Sequence, residues 1–322
     1  MSKTKFTHKI ALENVMNQIH DENSYEKWVK NFSINLPKIM KENSAKNLSN
    51  KNFQKLSAIV IGAGPSLEEH NHLKLLSKSN FKGSIICTDR ILIPTLKAGI
   101  TPKKFPKFYV ITIDTAEKIK KFYQDDIVKK YGSKINGIFT VVTHPKTLQI
   151  ARKNGIKINW IHALFDYNEG KKSFNQLSSL MIRAKNHNHR LPGIQTGGNV
   201  GTSAWFFAWN ILKCSNVCLI GINHSWNEND DSKQMFKHCN VPLDINKKSI
   251  LYKKLFPTVY NPDFNCNCIL DPIFQYYSNA LKDFISRTPK EVLTINATQG
   301  GCIFGKQIKC MTFLNFLKKY PY

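Results

Sequence analysis

The chain has 322 residues, of which 42% are hydrophobic, and its 47 Lys and Arg outnumber 22 Asp and Glu to give a formal net charge of +25. Such a chain can bury a sizeable core, and no run of about 18 apolar residues is present to read as a membrane span. The charge attracts polyanions at low salt, but lysines are spread along the whole sequence, so peripheral contact with an anionic surface stays open and no specific nucleic-acid partner is expected.

The opening MSKTKFTHKIALENV lacks the continuous apolar segment of a signal peptide, so a cytoplasmic location is expected. Eight cysteines include no CxxC pair and several fall in apolar runs, which reads as buried reduced thiols. Cys266 and Cys268, with Cys239 and His238 earlier in the chain, make a poor zinc pattern. Within residues 1–50, Ile10, Leu12, Val15, Met16 and Ile19, then Trp28, Val29 and Phe32, are spaced as on amphipathic helices. This predicts a helical N-terminal arm that ends in a polar linker, KENSAKNLSNKN.

The apolar run Ala58-Ile59-Val60-Ile61 then stops at Gly62-Ala63-Gly64-Pro65-Ser66, and Glu68 and Glu69 follow as in a first helical turn. Strand, glycine turn and helix N-terminus together offer unpaired N–H groups to which glycines let a phosphate approach. The dinucleotide fingerprint is absent, because Leu67 stands where its third glycine would be. A second strand, Ser84 to Cys87, ends at Asp89, and a third, Phe108 to Asp114, also ends in a carboxylate. Beyond strand ends in a doubly wound sheet, Asp89 and Asp114 can take ribose hydroxyls or a hydrated Mg²⁺, or cap the next helix. Ile138 to Thr143 and Ile156 to Ile161 read as two further strands.

A second glycine cluster, Gly197-Gly198-Asn199-Val200-Gly201-Thr202-Ser203, opens an apolar helix and predicts a second anion cradle. Strand Asn216 to Ile220 ends at Gly221-Ile222-Asn223-His224, and residues 227–270 are a polar, irregular excursion able to cover a crevice. Helices over Tyr276 to Phe284 and Met311 to Leu317, with a strand at Val292 to Ile295, complete the chain. The expected architecture is α/β: a doubly wound, mostly parallel sheet at 51–226, with the arm at 1–50 and an α/β extension at 227–322 that packs on the same domain.

GAGPSL after a strand, the two strand-end aspartates, GGNVG opening an apolar helix, and LIGIN occur in that order. In this the chain resembles the MptE-like Rossmann family. That family includes archaeal 6-hydroxymethyl-7,8-dihydropterin diphosphokinases and bacterial motility-accessory glycosyltransferases, with a more distant similarity to sialyltransferases. The resemblance implies a nucleotide site framed by Gly62, Gly64, Pro65, Ser66, Gly221 and Asn223, and the cradle read from the residues, with Gly197, Gly198, Asn199 and Thr202, is expected to add to it. Asn223 stands where the family has Asp, which keeps a hydrogen-bonding group and loses the charge.

Two transferase chemistries follow. In one, ATP with Mg²⁺ held by Asp89 and Asp114 gives diphosphate to a hydroxymethyl acceptor; the retention of both carboxylates favours it. In the other, a nucleotide sugar donates to a small-molecule or glycan acceptor without metal, and a histidine, His238 or His224, is the base. A nonenzymatic basic binding protein is the third reading.

Overall fold

A computed structural model describes residues 22–164, 173–185, 187–240 and 246–322. The arm's first apolar positions, Ile10 to Ile19, lie outside the described residues. The strands in chain order are β1 (Asn43–Ser44), β2 (Gln54–Ile61), β3 (Ser84–Thr88), β4 (Phe108–Thr112), β5 (Asn136–Thr140), β6 (Lys157–Leu164), β7 (Gly193–Gln195), β8 (Cys214–Ile220), β9 (Trp226–Asn227), β10 (Thr258–Asn261), β11 (Cys266–Ile269), β12 (Leu293–Asn296) and β13 (Ile308–Cys310).

Ten of them form one sheet in the order β1-β6-β5-β4-β3-β2-β8-β12-β13, with β7 beside β6, and every pairing is parallel. This is a doubly wound α/β fold. Its central strands are apolar on both faces, as burial under helices on each side requires. Ile59 and Ile61 of β2 face Leu67, Leu76, Leu96 and Phe313, while Ala58 and Val60 face Trp205, Phe207, Ala208 and Leu281. Helices Glu22–Ile39, Leu92–Lys97 and Pro145–Lys153 lie over the first face with Phe313–Lys319. Val200–Phe206, extended by a π-turn at Phe207–Ile211, and Pro272–Ser286 lie over the second.

The ends of the chain are tied to this sheet more closely than the sequence indicates. Asn31 and Asn35 donate to the carbonyls of Val142, Val141 and Thr143, and the expected linker contains β1 and a 3₁₀ turn at Ala45–Leu48. β12 and β13 extend the sheet beyond β8. The excursion after residue 227 is structured around an antiparallel sheet, β10-β11-β9, and helices Ser232–His238 and Ile250–Leu255. It has its own apolar cluster of Met235, Phe236, Leu255, Phe256 and Ile273.

From β2 the chain winds outward through β3 to β6, and it later returns on the other side of β2 as β8. The strand order therefore reverses between β2 and β8, and the region beyond their carboxyl ends is the crevice where such sheets bind ligands.

Candidate active site

The two turns at this reversal are in contact. The Gly62 N–H donates to the Ile220 carbonyl at 2.9 Å, and the Gly64 N–H to Gly221 at 2.8 Å. A Cβ at Gly62 would stand 2.3 Å from the Gly221 oxygen, and one at Gly64 would stand 2.5 Å from Asn223 Oδ1. These glycines are required for turn-to-turn packing, a correction to the expectation that their missing side chains leave space for phosphate. Their N–H groups are also already bonded, so the amides left to an anion are those of Ala63 and Ser66; Pro65 has none. Ser66 Oγ donates to Asn223 Oδ1 at 2.9 Å, and the Asn223 NH₂ is the side chain's donor group.

The second glycine cluster is corrected in the same sense. Asn199 caps its helix, accepting from the Thr202 N–H at 2.8 Å and donating to Thr202 Oγ1 at 3.0 Å, so its amide and the Thr202 hydroxyl bind each other. Gly197 and Gly198 have φ of 52° and 79°, the left-handed region that favours glycine. A Cβ at Gly198 would stand 2.7 Å from Tyr277 and 2.8 Å from Tyr276. This turn packs closely against the tyrosines of helix Pro272–Ser286.

Asp89 and Asp114 differ in state. Asp89 is buried, with Oδ1 accepting from the Arg90 N–H at 2.7 Å and Oδ2 from Thr112 Oγ1 at 2.9 Å. Burial pushes its carboxyl up to about 7; the two hydrogen bonds oppose that rise, and Asp114 adds to it. Asp114 is exposed, with one oxygen accepting from the Ala116 N–H at 2.8 Å. Divalent ions prefer several ionised, accessible oxygens. Asp89, desolvated with both oxygens engaged, does not fit that role. Asp114, exposed, can accept from a ribose hydroxyl.

Burial first, then the charges of Asp271 and Asp114, push the Tyr277 phenol up to about 12. The His224 ring is 5.8 Å from it, buried, with Nδ1 unpartnered. Burial and then Lys282 pull His224 down to about 3, so it is a neutral imidazole at physiological pH.

His238 lies in the excursion expected to cover the crevice, at the end of helix Ser232–His238. Its Nδ1 lies 2.6 Å from Asp271 Oδ2, which also accepts from Trp226 Nε1 at 2.7 Å, while Asp271 Oδ1 caps the next helix through the Phe274 N–H at 2.8 Å. Asp271 is fully buried and the His238 side chain is 34% exposed. The imidazole packs 4.8 Å from Phe274 and 5.6 Å from Trp226. A buried carboxylate on Nδ1 fixes the tautomer and leaves Nε2 as the open basic nitrogen. Asp271, Trp226 and Tyr277 are the residues that sequence reasoning missed. Asp271 had one local signal, an Asp before Pro272 at a helix start.

A family model described as MptE-like, 6-hydroxymethylpterin diphosphokinase MptE-like, matches residues 30–229. That span is more than half of the chain, which belongs to the MptE-like family. It takes in both crevice turns and both strand-end aspartates and ends before His238 and Asp271. Among solved structures, the MAf glycosyltransferase from Magnetospirillum magneticum AMB-1 matches with a TM-score of 0.56 at 11% identity, over 86% of this chain and 38% of that one. The likeness is one of fold, and this chain spans well under half the length of that relative. No curated protein sequence matches the chain.

Proposed function

We propose that this member of the MptE-like family is a nucleotide-dependent transferase that moves a glycosyl group from a nucleotide sugar to an acceptor hydroxyl without a divalent metal. The observation that carries the reading is the His238–Asp271 pair at 2.6 Å on the cover, a base with its orienting acid. The donor's nucleotide lies across the β2–β8 reversal, with a ribose hydroxyl donating to the exposed Asp114 and phosphate oxygens accepting from the Asn223 NH₂ and the Ala63 and Ser66 amides. In the transfer step the acceptor oxygen bonds to the anomeric carbon. The bond from that carbon to the donor phosphate oxygen breaks with its electron pair, and the acceptor proton passes to Nε2 of His238. Asp271 stabilises the imidazolium that forms.

The fold relative, itself a glycosyltransferase, supports this reading, and so does the poor fit of Asp89 to a metal. Diphosphoryl transfer from ATP is the second reading, favoured by the description of the matching family and by the exposed carboxylate of Asp114. A thermal-shift panel of ATP, GTP, CMP, UDP and their sugar conjugates, with and without Mg²⁺, tests the choice. A ligand at a hundred times its Kd stabilises by about 2.7 kcal/mol. Stabilisation by a nucleotide sugar that survives EDTA supports glycosyl transfer; stabilisation by ATP with Mg²⁺ alone overturns it.

A further inference from the structure

Helix Ser66–Glu69 and helix His72–Lys78 are separated by Asn71, whose φ of 52° places a non-glycine residue in the left-handed region. The break opens a groove of about 690 Å³ between these helices and helix Leu92–Lys97. Its mouth is formed by Ala63, Gly64 and Pro65, the crevice turn itself, and its floor by Leu67, Leu73, Ile91 and Ala98. Glu68, Asn71 and Lys74 stand on the rim, all three exposed. Among the described residues neither Glu68 nor Lys74 is in an ion pair with another residue, and the Asn71 side chain caps nothing.

We infer that this groove is the acceptor site, and that it takes a hydroxylated ring with one apolar face, such as an alkyl pyranoside. The inference rests on the transferase reading above, because an acceptor must reach the carbon attached to the phosphate at the turn. The groove shares Gly64 and Pro65 with that turn, so a molecule on its floor lies beside the donor. The cover flanks the same short helix: Asn227 Nδ2 donates to Glu69 Oε1 at 3.3 Å, and the neighbouring Trp226 packs on His238. Glu68, Asn71, Lys74 and Lys104, whose Nζ donates to the Ser77 carbonyl on the groove wall, give the rim both donors and acceptors, which suits hydroxyls. The aliphatic floor suits the apolar face of the ring.

The test is saturation-transfer NMR on the whole chain with octyl β-D-glucopyranoside below its micelle concentration, and 1-octanol as a probe with the same tail and no ring. The wild type is expected to saturate the glucoside protons and the octanol far less. L73W and A98W, at partly exposed positions, fill the groove; each is expected to abolish the signal with Tm and the donor's thermal shift unchanged. Absence of a wild-type signal, a signal that persists in both filled variants, or equal saturation of the two probes overturns the inference. Failure of every nucleotide to stabilise the wild type sinks the transferase reading, and with it the acceptor role, while the pyranoside result still decides whether the groove binds such a ring.

Discussion

The hydroxyl of Ser66 donates to the side-chain oxygen of Asn223, 2.9 Å away and 157 positions later in the chain. This bond joins the turn after β2 to the turn after β8 and aims the Asn223 amide. Removing the hydroxyl leaves a buried acceptor unpaired, which costs about 1–3 kcal/mol. S66A is therefore expected to lower the urea midpoint with no change in the slope of the transition, and to weaken nucleotide binding. An unchanged midpoint contradicts the placement of this bond.

Gly64 makes a sharper case. A valine there would press on Asn223 Oδ1 and on the Gly221 oxygen, 2.5 and 2.8 Å from its Cβ. G64V is expected to lose several kcal/mol of stability, comparable to overpacking a core, and to express poorly or melt early. A variant with wild-type Tm that fails only in nucleotide binding would show instead that the space belongs to the ligand.

How far the sequence reaches is visible at this position. It indicates that glycine is needed at 62 and 64, since strand, turn and helix are local patterns, but the packing partner, Gly221, is 159 residues from Gly62. The long apolar strands are legible for the same local reason, whereas β1, β7 and β13, of two or three residues each, are too short to show a period. The cover reads as irregular because its strands have at most four residues and pair with one another rather than with the main sheet. His238 is a candidate by residue type alone; its partner lies 33 residues on, at a distance that only the fold closes.

Asp89 makes stability depend on pH. Burial raises its carboxyl from 3.8 to about 7, so between those values the folded protein keeps a proton that the unfolded chain releases. This contribution is full below the lower value, declines as pH rises through the window, and is gone above about 7. D89N removes the titration, so its Tm relative to wild type should rise from about pH 5 to pH 8. A constant difference across that range contradicts a proton held at Asp89.

His238 and Asp271 act as a pair in this account. H238A is expected to reduce kcat by about 10²- to 10⁴-fold with little change in donor affinity. D271N, which leaves Trp226 and the imidazole to share a neutral amide, should give a large part of that loss in kcat while KM for the donor stays near wild type. A diphosphoryl transferase has no need of this base, and full activity of H238A removes the residue from the mechanism.

The most direct test of the central claim is to supply the chain with each nucleotide sugar in EDTA, together with an alkyl pyranoside acceptor, and to separate the products by chromatography with mass detection. Glycosyl transfer predicts free nucleotide and a glycosylated acceptor in equal amounts from one donor, with no need for metal and with strong loss in H238A. AMP and a diphosphorylated acceptor formed from ATP and Mg²⁺, with every nucleotide sugar left intact, would contradict it.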